Sequence, residues 1–323
     1  MFTMRIRTPA DAVAGAVMLL QVIPEDSLCL IFADTPMALR CDVPNSADDV
    51  EAFAVRMRLL AGTYDLSMPV AVVFGTAPQA RECLRALAVV RDVFTVRMLV
   101  RTDTVTCQEY RQEAAGEFSA GDSTPVDLYT HPFTAEGVMQ GFCSLQTEAR
   151  LRLDYTPAGT DAAGLTASPR WAAYAGSSVS VPEIADTLAE HVSALLCPLL
   201  ADPSRLTNAQ VCELAAAVHA HPIRDRLWLQ ITRDTALAYQ ELWRRVAVRC
   251  PRALAAEPLA LAGFSAWLAG SGVAARIAVE QAAACDVGHT LTRLVGGLLD
   301  TGMHPNIWEQ LREDAAKELA VSL

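Results

Sequence analysis

The apolar residues of this chain change their spacing once, near Pro182, and that change restricts the fold more than any other feature. Beyond Pro182 the pattern reads as helix after helix, with segments near 182–200, 207–219, 222–240, 241–250, 257–270, 272–285, 289–301 and 305–320. The breaks between them are short: Asp202-Pro203, His221-Pro222, Cys250-Pro251, Gly270-Ser271-Gly272, Gly288 and Gly302. Helices joined this closely are expected to stack as antiparallel pairs. Ala275, Val279, Ala282 and Val287 loosely follow the small-and-large spacing of tetratricopeptide-type pairs.

Before Pro182 the pattern is mixed. Thr8-Pro9-Ala10-Asp11 is a helix start, because threonine caps, proline suits the first turn and the acid complements the helix dipole. Pro24 ends that helix. Ser27 to Ala33 reads as a buried strand, Asp34-Thr35-Pro36 as a turn and Met37 to Val43 as a second strand, which makes a hairpin. Asn45-Ser46 caps a helix that runs to Gly62. The run from Pro69 to Gly75 is continuously apolar, the signature of a central strand buried on both faces. A helix from Ala77 to Val90 and a strand around Val93 to Val100 follow. TVTCQEY is one further strand, AAGEFSAGDSTPVD a loop, and a short helix starts near Thr134.

The expected architecture is an α/β domain over 1–156, its mixed sheet covered by helices, then an all-α domain of stacked helix pairs over 181–323. Residues 157–180, rich in glycine, serine and proline without an apolar period, are the linker.

Composition narrows the function classes. The net charge is −11 and both halves are acidic. A nucleic-acid partner needs a positive footprint to displace counterions, and an anionic membrane surface needs one to attract it. Neither partner is expected. The nine cysteines form no C-x-x-C pair and sit mostly in apolar runs, which suits a reducing cytoplasm rather than a disulfide framework. Arginines precede an apolar stretch at the N-terminus, but Asp11 interrupts it and no small-residue cleavage site follows. The chain therefore reads as cytoplasmic.

Several longer stretches resemble a known family. TPADAVAGAVMLLQVIPEDSLCLIF and the strand ending in LRCDVP, DSTPVDLYTHPFTAEGVMQG in the middle, and ITRDTAL with PLALAGFSAWLAGSGVAARIAVEQAAACDVGHTLTRLVGGLLDTGMHPNIW near the end are similar to the actinobacterial family of domain of unknown function 4192. The resemblance implies an α/β half followed by a helical half, and no activity. A cysteine-containing stretch that the family often carries before its middle motif is absent between Cys107 and Cys143.

Candidate chemistry centres on the corner Glu25-Asp26-Ser27. Arg40 and Asp42 lie on the partner strand and can approach it, and carboxylates gathered at one point bind a divalent cation or do acid–base work. The structural alternative is a turn whose polar side chains satisfy loose backbone groups. The turn Thr76-Ala77-Pro78 has the form of a phosphate-binding strand-to-helix connection but lacks its glycines. His219 and His221 do not share a helix face, and His131, His191, His289 and His304 stand alone in the sequence, so no metal site is expected. There is no nucleophile motif, and no cofactor is implied. These absences favour a binding or adaptor protein over an enzyme. Its helical half would present the partner surface, with Arg233, Asp234 and Trp267 as candidates, and the partner would be another protein or a second copy of the chain. The alternatives are an enzyme or sensor for a small charged ligand at the Glu25–Ser27 corner, and a homo-oligomeric structural component.

Overall fold

A computed structural model describes residues 4–32, 37–64, 66–112, 118–141, 145–158, 174 and 181–321. Contacts divide the chain into two compact units, Met1–Arg150 and Leu151–Leu323. The division falls within the short helix Glu148–Asp154. Nearly all of the expected linker over 157–180 lies outside the described residues.

The first unit is a mixed α/β layer structure. Its elements are α1 (Pro9–Leu20), β1 (Ser27–Phe32), β2 (Met37–Asp42), α2 (Ala47–Thr63), β3 (Val70–Phe74), α3 (Ala77–Val89), β4 (Met98–Thr102), β5 (Thr106–Gln112), β6 (Phe118–Ala120), β7 (Thr124–Pro125) and α4 (Pro132–Met139). The strands lie in the order β2-β1-β3-β4-β5-β6, with β7 also on β5. Only β3 and β4 are parallel; the other pairs are antiparallel. β1 and β3 are buried along their whole length, which is why both read as continuous apolar runs.

Register decides which face each side chain serves. Leu28, Leu30 and Phe32 share a face with Ala71, Val73 and Leu99, and there meet Phe53, Met57, Leu84 and Leu87 of α2 and α3. The opposite face carries α1, on which α4 packs. Ala12 to Met18 are all buried, so the apolar stretch near the N-terminus is the sequence of a helix covered on several sides. Reciprocal capping starts the helices. Thr8 Oγ1 accepts from Asp11 N–H at 3.1 Å while Asp11 accepts from Thr8 N–H at 2.9 Å, and Ser46 with Asp49 does the same.

One expected loop contains strands. Within residues 114–127, Phe118–Ala120 and Thr124–Pro125 pair with β5. Both are too short to show a period, and Pro125 is tolerated because it sits on an outer strand.

The second unit is helical. Its main helices are α6 (Pro182–Ala201), α7 (Asn208–His219), α8 (His221–Trp228), α9 (Ala236–Arg249), α10 (Ala256–Leu268), α11 (Gly272–Cys285), α12 (Thr290–Asp300) and α13 (Ile307–Val321); α5 is the helix Glu148–Asp154 named above. Every residue of α10 is buried, and it contacts α7 and α12 as well as its sequence neighbours α9 and α11. Gly263 lets α11 approach closely, since a Cβ there would lie 3.3 Å from Ala275 O. By length and composition alone α6 could cross a bilayer. Its buried residues Ala185, Ala189, Val192, Leu196 and Leu199 follow the spacing of a single stripe, and Asp186 pairs with Arg226.

Two expected helices, 222–240 and 241–250, are in fact 221–228 and 236–249. The break carries neither glycine nor proline. Thr235 makes it instead: its Oγ1 accepts from Thr232 N–H at 3.0 Å, and its N–H donates to Thr232 O at 3.2 Å. Arg233 and Asp234, expected mid-helix, therefore lie in a turn.

Candidate functional site

The Glu25–Ser27 corner follows the left-handed residue Gln21 that ends α1. Ile23 is fixed on both sides of its backbone, donating to Gln146 O at 2.9 Å and accepting from Glu148 N–H at 3.1 Å. Ser27, the first residue of β1, is buried and donates its hydroxyl to Glu25 O at 2.5 Å. Asp26 adopts φ 42°, its carbonyl accepts from Val43 N–H at 3.2 Å, and its carboxylate accepts from Gln79 Nε2 at 2.8 Å. Gln79 in turn accepts from Thr76 N–H at 2.7 Å at the start of α3. A Cβ at Gly75 would come within 2.5 Å of Gln79 Oε1, so glycine is needed for the carboxamide to sit there. The corner and the Thr76-Ala77-Pro78 turn are thus joined at one end of β3. The amide that would help cradle a phosphate is already taken by Gln79.

Arg40 and Asp42 project from the same face of β2, and Asp42 is the cross-strand partner of Ser27. Arg40 reaches Asp42 Oδ1 at 2.7 Å and forks onto both oxygens of Glu148, at 3.1 and 2.9 Å. Glu148 is nearly buried, whereas the Asp42 side chain is 84% exposed. Sequence reading missed Glu148, which lies 108 positions from Arg40 and carries no local motif. Ser27, Arg40 and Asp42 do come together. Glu25 and Asp26 are exposed at the rim, and among the described residues no three His, Cys, Asp or Glu side chains are placed to hold a metal ion. The geometry is that of a braced joint between α1, β1 and α3. Asp26→Ala should destabilise the first unit by about 1–2 kcal/mol, through the left-handed backbone and the lost hydrogen bond. Asp26→Gly should cost less than Asp26→Ala because glycine accepts that backbone. Urea titration followed by circular dichroism checks the order.

A second polar cluster lies in the helical unit. Glu257, in the first turn of α10, is buried. His219 Nδ1, at the end of α7, lies 3.3 Å from Glu257 Oε1, and so does His289 Nε2. The His289 contact is not angled as a hydrogen bond and is electrostatic. His289 also caps α12: its Nδ1 accepts from Thr292 N–H at 3.3 Å and lies 2.7 Å from Thr292 Oγ1. An accepting Nδ1 places the ring proton on Nε2, facing the carboxylate, which is the wrong tautomer for a metal ligand at Nε2. Burial raises the Glu257 carboxyl, but the two imidazoles outweigh that and hold it well below its ordinary value. The carboxylate in turn raises His219 against the effect of burial. The sequence placed His289 alone and His219 beside His221; only folding brings His219 and His289 to one acid. Burial pushes the Cys41, Cys83 and Cys250 thiols up to about 12, so these three are not poised as nucleophiles.

The candidate partner surface divides. Trp267 is buried, donates Nε1 to Met303 O at 2.9 Å and packs on Phe264 with ring centroids 5.5 Å apart. It is a core side chain, because α10 is apolar on every face. Arg233 and Asp234 are exposed, and Arg233 bonds Asn306 just before α13.

The family described as Domain of unknown function (DUF4192) matches residues 9–306. No curated protein and no solved structure matches the chain.

Proposed function

The chain belongs to this family of a domain of unknown function, and from its own geometry we propose that it is a protein-binding or adaptor module whose helical unit presents the partner surface. The observation that carries this reading is the junction around the Arg233–Asp234 turn. Trp308 Nε1 donates to Ile231 O at 2.7 Å and Arg233 bonds Asn306, so the turn is tied to the start of α13. On the elements so joined, Leu237 is 54% exposed, Leu311 44% and Ile307 37%. Exposed apolar side chains on elements tied together in this way are what a partner's apolar segment needs. The net charge of −11 favours a partner segment that is also basic. The eight described cysteines are all free, in keeping with a cytoplasmic setting.

The test is crosslinking in the host followed by mass spectrometry, with the wild-type chain and the double variant Leu237→Asp/Leu311→Asp side by side. We expect a protein crosslinked at this junction in the wild type and lost in the variant, with helix content unchanged. Identical crosslinks from both forms would overturn the proposal. A crosslinked second copy of the chain would turn it into the homo-oligomeric reading.

A further inference from the structure

The His219–Glu257–His289 cluster has no place in the binding reading, yet it joins three helix ends. His219 is the last residue of α7, Glu257 the second of α10, and His289 the N-cap of α12. Each charge suits its position, a cation at a helix C-terminus and an anion at an N-terminus. Exposure is graded across the cluster. The His219 side chain is 56% exposed, while those of Glu257 and His289 are 6% and 4%. The inner pair is sealed and the outer imidazole meets solvent.

We propose that these three residues form a pH-responsive clamp, closed while His219 carries a proton and loosened when His219 gives that proton to solvent. With His219 charged, the buried carboxylate faces a cation on one side and the Nε2–H of His289 on the other. Without that charge, Glu257 loses the cation at its solvent side, and a buried carboxylate so placed is costly to hold. The ends of α7, α10 and α12 then open more often.

The surrounding charges do not take over this role. Cys250, at the end of α9, is near Glu257, and burial pushes its thiol up to about 12. Cys212 on α7 and Cys285 at the end of α11 are raised by burial as well. Arg252 donates its guanidinium to Ala284 O at 2.8 Å. Asp286 accepts from Gly288 N–H at 2.8 Å in the turn before His289, and His221 is exposed in the first turn of α8.

The sign follows from the two shifts. His219 is raised above 6.5, so its contribution is complete below 6.5 and is lost as pH rises through its folded value. Glu257 is held below 4.5, so its contribution is present above 4.5 and is lost as pH falls through its folded value. The clamp is therefore tightest between 4.5 and 6.5 and loosens on the alkaline side.

Amide hydrogen exchange on the full chain, expressed as protection factors from about pH 5.5 to about pH 9, reads this directly. In the wild type, protection at the start of α10 and along α12 should fall several-fold on the alkaline side. His219→Gln keeps a donor that cannot titrate, and should abolish the step. His221→Gln should retain it. A flat wild-type profile, or a step that survives in His219→Gln, would overturn the clamp. Because His219 is more than half exposed, its glutamine variant should fold even if Glu257→Gln does not.

Discussion

Phe264→Ala should destabilise the helical unit by about 3–5 kcal/mol, the usual range for removing a fully buried aromatic ring. The ring is completely buried on α10 and touches three indoles, with centroids 5.2 Å from Trp228, 4.7 Å from Trp308 and 5.5 Å from Trp267. Trp228 and Trp308 also stack on each other at 5.2 Å. Alanine would leave a cavity between α8, α10 and α13 that rigid rings cannot collapse to fill. All five tryptophans lie between positions 171 and 308, so their fluorescence reports this unit alone. With a urea slope of about 2 kcal/mol/M, the fluorescence midpoint should fall by about 1.5–2.5 M. Exchange protection in β1 and β3 should stay unchanged. A midpoint shift under about 0.5 M would mean that the ring cluster is not the keystone of the unit.

The same helix shows what could be read from sequence and what could not. Its segment ALAGFSAWL is apolar on every face, and such a helix belongs in the middle of a bundle. That signal was present, and it places Trp267 inside rather than in a groove. The break after Trp228 had no such signal. Glycine and proline mark most of the other helix ends, but here two threonines exchange hydrogen bonds across a turn, and threonine disfavours a helix far less than glycine or proline does, so it does not mark an end. The cluster at Glu257 was invisible for a different reason. Its members are spaced 38 and 32 positions apart by residue number, and no helical or strand period links such separations.

In the α/β unit, strand order was more legible than side-chain partnership. The β1–β2 hairpin and the fully buried β3 follow from apolar runs and turn residues, because both signals are local. The Glu25–Ser27 corner was legible as polar and as close to Arg40 and Asp42. Its bracing was not, since Gln79 and Glu148 come from distant elements. Both supply the long-range bonds that make the corner a joint.

The second large effect is expected at that joint. Arg40→Met should destabilise the first unit by about 2–3 kcal/mol, below the 3–5 kcal/mol typical of a fully buried pair because Arg40 also reaches the exposed Asp42. The substitution leaves the nearly buried Glu148 carboxylate without its guanidinium. It also removes the buried Arg40 Nε, which has no hydrogen-bond partner, and this offsets part of the loss. Glu148→Met alone should cost less, since the arginine can still hold Asp42. The double variant Arg40→Met/Glu148→Met should recover at least half of the Arg40→Met deficit, because two apolar side chains of similar length replace a pair whose desolvation was never fully repaid. Exchange protection in β1 and β3 measures all three, as this unit has no tryptophan. Additive losses in the double variant would show that Arg40 and Glu148 stabilise the unit through separate contacts, and that the fork between them contributes no coupling.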